Sequence, residues 1–133
     1  MINFETMIET AKSVLAEELP LQNSEMPPQA TVLLTDHGNV HVAICRDVFG
    51  SDCGYVNLIN TLKNKGESRV LQMVTMWKNG TVDSPSMNLI KSIYEMNKEN
   101  LETEVMLFGK KHDDPEELPL RNFISKLKYM IIY

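Results

Sequence analysis

Long apolar runs are missing from this 133-residue chain. Nowhere do roughly 18 apolar residues follow one another, so no membrane-spanning helix is expected. A basic leader is missing too. MINFETMIETAK has no positive region followed by a long apolar one, and no secretory signal is expected. Positive charge is in deficit, with 13 Lys and Arg against 18 Asp and Glu and a net charge of −5. No basic stripe stands out, since Lys110-Lys111-His112 is answered at once by Asp113 and Asp114. These features argue against nucleic-acid binding. Cysteine is scarce. Cys45 and Cys53 read as reduced thiols of a cytoplasmic protein, because no secretion signal accompanies them. The histidines are His37, His41 and His112, and none lies at ligand spacing from another or from Cys53. They read as surface or structural groups.

What is present is a globular composition, 43% hydrophobic and 23% charged. It suits a single domain over residues 1–133 that buries its own core without staples. Nine methionines make that core adaptable.

Helical spacing puts Phe4, Met7, Ile8, Ala11, Val14 and Leu15 on one face of a segment over 3–17, with Asn3 as cap and Pro20 closing it. QNSEMPPQ at 22–29 reads as a loop. ATVLLT and VHVAIC bracket the turn Asp36-His37-Gly38-Asn39 and predict a hairpin. Asp52 can cap a helix carrying Tyr55, Val56, Ile59 and Leu62 inward and ending near Gly66. RVLQMVTMW suits a central strand buried on both faces, and KNGTVDSP turns the chain. A helix starts at Ser84-Pro85, with Met87, Ile90, Ile93 and Tyr94 inward. EVMLF is a further strand, KKHDDPEELP an acidic loop, and the last helix carries Leu120, Phe123, Ile124, Leu127, Met130 and Ile131.

The order α-β-β-α-β-α-β-α predicts an α/β fold, a three-layer α-β-α sandwich with a mixed sheet. Right-handed crossovers place both middle helices on one face. Their starts, at 52–55 and 84–87, then meet at the carboxyl ends of strands, where open α/β sheets hold ligands.

Four stretches resemble the cytidine deaminase family. ATVLLTDHGNVHVA is similar to its first hairpin. DCGYVNLI stands where the family has Cys-Ala-Glu-Arg, and DSPSMNLIKSIYEM where it has Ser-Pro-Cys-Gly-x-Cys-Arg-Gln. EELPLRNF resembles Glu-Leu-Leu-Pro-x-x-Phe. The resemblance implies a zinc ion on three ligands with one open position, and a glutamate that carries protons. The ligand positions are Cys53, Ser86 and Leu89, and the glutamate position is Tyr55. Leucine cannot ligate, and a serine hydroxyl is a poor zinc ligand. Tyrosine, titrating near ~10, is a poor proton shuttle at neutral pH. The family's Asn-x-Glu grip on the ribose corresponds to Cys45 and Asp47. Of these, Asp47 can still accept a hydrogen bond, while Cys45 is a weak donor.

The expectation is a degenerate, non-catalytic relative with no zinc and no other cofactor. It would bind a nucleoside-like small molecule or act through self-association, and the resemblance implies a homodimer or homotetramer. The ligand-binding candidates are Cys45, Asp47, Cys53, Tyr55, Ser84 and Ser86. Four of them have another reading beside this one. Cys53 is a small residue opening a helix, or a thiol activated by that helix start. Tyr55 either fills the space vacated by zinc or hydrogen-bonds a ligand. Ser84 and Ser86 serve as helix caps, having no histidine and acid to activate them. Asp113, Asp114, Glu116 and Glu117 form a solvated face, with spacing wrong for calcium. Trp77 belongs to core or interface. The ending YMIIY suggests docking on the body or on another subunit. The alternative is a deaminase-related hydrolase, with a thiol site at Cys53 or a metal relocated to His41 and Cys45, which share one strand face.

Overall fold

The computed structural model describes residues 4–17, 29–45, 55–78, 80, 82–83, 87–108 and 115–121. The elements are α1 (Phe4–Ala16), β1 (Gln29–Thr35), β2 (Val40–Cys45), α2 (Tyr55–Lys65), β3 (Val70–Trp77), β4 (Val82–Asp83), α3 (Met87–Met96), a 3₁₀ turn (Lys98–Glu102), β5 (Glu104–Phe108) and β6 (Pro115–Pro119). Asp52, the stretch 22–28 and the chain beyond Arg121 lie outside the described residues.

The strands form one mixed sheet in the order β2-β1-β3-β5-β6, with the two-residue β4 pairing to β3 as well. β1 is antiparallel to both β2 and β3, β3 and β5 run parallel, and β6 returns antiparallel to β5. The hairpin turns through Gly38, whose φ of 80° suits a residue without Cβ. Thr35 N donates to Asn39 O at 3.0 Å to close it.

Side chains alternate between two covered faces, which is why all seven residues of β1 are buried. On one face Ala30, Val32, Leu34, Val74, Met76 and Met106 lie against Phe4, Met7, Ala11 and Leu15 of α1. On the other, Leu33, Ala43, Met73 and Val105 lie against Leu58, Ile59 and Leu62 of α2 and Leu89, Ile90 and Ile93 of α3. The three-layer sandwich with both middle helices on one face is therefore present.

The structure departs from the sequence reading in two places. Residues 115–119, expected within a loop, form β6, with Glu116 opposite Leu107 and Glu117 opposite Met106. The backbone of β5 has an edge to satisfy, and an edge strand tolerates the prolines and carboxylates that a central strand excludes. Leu71, expected inside, is 38% exposed. Thr35 pairs with Val70 and Leu34 with Gln72, so Leu71 is the extra residue of a bulge.

The far ends of α2 and α3 are tied to the entry of β3. Gly66, at φ 71°, ends α2, and Glu67 N donates back to Leu62 O at 2.9 Å. Beyond α3, the buried Asn100 accepts from Val70 N at 2.8 Å and donates to Ser68 O and Ile93 O, each at 2.9 Å.

Candidate functional site at the helix starts

Strands β2, β3 and β5 end at Cys45, Trp77 and Phe108 along one edge of the sheet, where β1 begins at Gln29. Because α2 and α3 finish at the opposite edge, each runs back against the strands. At about 1.5 Å per residue, α2 is about 16 Å long, enough to bring its first turn to the carboxyl edge. The two helices also contact each other. The first turns beginning at Tyr55 and Met87 are thus neighbours at that edge.

Beneath them the core is not wholly apolar. Thr31 and Thr75 are directly paired across β1 and β3, both are 0% exposed, and their hydroxyls meet at 2.9 Å. Each lies two residues along its strand from Leu33 or Met73, on the same face of the sheet, and so faces α2 and α3. A cleft of about 370 Å³ opens between β2 and α2, lined by His41, Val42, Ala43, Ile44, Asn57, Leu58 and Thr61.

Of the residues singled out from the sequence, Cys45 is the last of β2, in register with Gln29, and Tyr55 is the first of α2. Both backbone positions belong to this edge. Leu89, in the first turn of α3, is 1% exposed within the hydrophobic cluster. Asp47, Cys53, Ser84, Ser86, His112, Asp113 and Asp114 lie outside the described residues. Trp77 is half-buried at the end of β3, and His37 sits exposed 3.8 Å from Asp36 in the hairpin turn.

His41 and Cys45 do not make a metal pair. Four strand residues at about 3.3 Å each separate them by about 13 Å. The His41 imidazole Nε2 instead lies 3.3 Å from Glu67 Oε1, at the far edge. Glu67 is 3% exposed and also accepts from Thr35 Oγ1 at 2.8 Å and Asn39 Nδ2 at 2.9 Å. Those donors, Asn39 first and then Thr35, with His41 adding its share, pull its pKa from 4.5 down to about 2. Nothing in the sequence singled out Glu67, although its place just after the helix-ending Gly66 was a usable signal. Thr31 and Thr75 were hidden inside strands that read as apolar.

Comparison by sequence finds no matching family model and no significant match among curated proteins. Comparison by structure does find similar folds. The chain superposes on cytidine deaminase from Mycobacterium leprae with a TM-score of 0.68 at 15% identity, covering 93% of this chain and 98% of that one. For the cytidine deaminase of Mycobacterium tuberculosis the TM-score is 0.66 at 16% identity, covering 92% and 94%. For that of Bacillus anthracis it is 0.65 at 13% identity, covering 97% and 96%.

The fold is that of the cytidine deaminases. In the deaminase fold the zinc implied by the resemblance would draw on Cys53, Ser86 and Leu89. The last of these has no lone pair to offer, and its side chain is packed into the core. One thiolate and one hydroxyl leave a zinc ion short of protein ligands, so this donor set does not fit the metal. Among the described residues, no group of three or more His, Cys, Asp or Glu is placed to hold a metal ion. None of the described helices is long and apolar enough to cross a membrane.

Proposed function

We propose that this chain uses the deaminase fold to hold a small nucleoside-like molecule without hydrolysing it. In this reading it is a cytoplasmic protein that works without zinc and associates with itself as a homodimer or homotetramer. The observation that carries the reading is Leu89, 1% exposed where the resemblance calls for a metal-binding thiolate. With Tyr55 at the glutamate position, no group there moves a proton readily near neutral pH.

Binding is a separate matter from hydrolysis, and two features support it. The Thr31–Thr75 hydroxyl pair supplies polar atoms beneath the helix starts. The cleft beside α2 is within the size range of small-ligand pockets, roughly 300–1,000 Å³. Cys45, Asp47, Cys53, Tyr55, Ser84 and Ser86 are the side chains proposed to contact the ligand.

The test combines elemental analysis after dialysis against a weak chelator, a cytidine and deoxycytidine deamination assay, and an NMR titration with cytidine. The expected result is no stoichiometric zinc, no ammonia release, and saturable shifts in the first turn of α2. About one zinc per chain, or measurable turnover, would overturn the non-catalytic reading. Absence of any saturable shift would overturn the binding reading.

A further inference from the structure

The edge of the sheet opposite the helix starts carries a second cleft, of about 610 Å³. Gln72 lines it, and Trp77, at the helix-start edge, lies five strand residues further on, about 16 Å away at 3.3 Å per residue. Its floor is a row across three strands, since Leu34 pairs with Gln72 and Gln72 with Glu104. The bulge in β3 brings Leu71 to its wall, and Leu71 is the one large apolar side chain exposed among the described residues.

Gln72 Oε1 is buried and has no hydrogen-bond donor among the described residues. Such an atom calls for a partner, because a carbonyl taken out of water without a donor loses its hydrogen bonding. A ligand with an N–H group would supply one.

The charge around the cleft selects the sign of that ligand. Among the described residues, Asp36, Glu102 and Glu104 line it against the single cation Arg69. The Arg69 guanidinium is turned inward to Val70 O, to Asn100 Oδ1 and to Thr103 Oγ1. Arg121 Nη1 takes both oxygens of Glu102, at 2.5 and 2.6 Å. Among the described residues that leaves Glu104 beside Gln72, and Asp36 in the exposed turn, approached by His37 at 3.8 Å.

We propose that this cleft binds a small organic cation, a primary ammonium on a short apolar body. The ammonium has three donors and no acceptor, matching Gln72 Oε1 and the Glu104 and Asp36 carboxylates. Gln72 and Glu104 sit on adjacent strands about 4.8 Å apart, so one ammonium reaches both. The apolar body lies on Leu34 and Leu71. The site is independent of the nucleoside-like reading of the helix-start edge.

The test is an NMR titration of the intact chain with 2-phenylethylammonium. The neutral 2-phenylethanol and the anionic 3-phenylpropionate are titrated beside it. The ammonium is expected to shift the amides of Leu71, Gln72 and Glu104 saturably, with a dissociation constant at least tenfold below that of the alcohol. Asp36→Asn with Glu104→Gln, both at exposed positions, should weaken it about tenfold, and Gln72→Leu several-fold. An ammonium that gives no saturable shift, an alcohol or carboxylate that binds as well, or a double variant that binds unchanged would each overturn the proposal.

Discussion

Truncating Leu89 to alanine tests whether the corner where the sequence resemblance implies a metal ligand is filled by protein. The side chain is 1% exposed and belongs to the cluster shared by α2, α3 and the sheet. Leucine-to-alanine changes in close-packed cores cost about 2.7–5 kcal/mol, and the cost is largest where the surroundings cannot collapse. Collapse is restricted here. The far end of α2 is pinned by the return bond from Glu67, and the end of α3 by Asn100. A loss of about 3–5 kcal/mol is therefore expected, against a total stability of about 5–15 kcal/mol for a domain. With a urea m-value of about 2 kcal/mol/M, the unfolding midpoint should fall by about 1.5–2.5 M at unchanged slope. Circular dichroism across a urea series measures it. A fall of under about 0.5 M would correspond to roughly 1 kcal/mol. Leu89 would then border open space, and the argument that this corner is occupied by core would fail.

Acid should act on Glu67. Its pKa is about 2 in the folded chain against 4.5 for the free group, so its contribution is complete above pH 4.5 and drains away as pH falls toward 2. Glu67→Gln removes that titration, and the stability gap between parent and variant should narrow over this window; a gap that stays flat would contradict the assignment. Restoring ligands should restore metal: Ser86→Cys with Leu89→Cys, beside Cys53, is expected to bind about one zinc per chain while cytidine deamination stays absent, since residue 55 is still tyrosine. A folded double variant that takes up no more zinc than the parent would show that the three positions do not converge.

Much of the architecture was legible because it follows from short-range rules. The spacing of Phe4, Met7, Ala11 and Leu15 marks one helical face whatever that face meets. Asp36-His37-Gly38-Asn39 between two β-rich runs marks a hairpin, and Gly66 marks a helix end. The edge strand at 115–119 was not legible. Its prolines and glutamates have no strand propensity of their own, and the partner that makes them a strand is the open edge of β5. The departures at 55, 86 and 89, beside the matching Cys53, were visible once the deaminase resemblance was drawn. Packing alone gave Leu89 a physical role, as core rather than as a side chain facing empty space.

The groups that tertiary structure decided are polar ones whose partners lie far away in sequence. Glu67 draws its donors from 26 to 32 residues upstream. Thr31 meets Thr75 across 44 residues. Arg69 and Val70 meet Asn100 across about thirty residues, at 31 and 30. Hydrophobic periodicity is written into the chain because burial is non-directional and needs only the right face. A buried hydrogen bond needs a particular atom at about 3 Å in a particular direction. That pairing exists only once the sheet register has set the strands side by side, so the sequence by itself determined the layers of this protein, and the tertiary structure decided which of its polar groups are satisfied and which, like the Gln72 carbonyl, find no partner among the described residues.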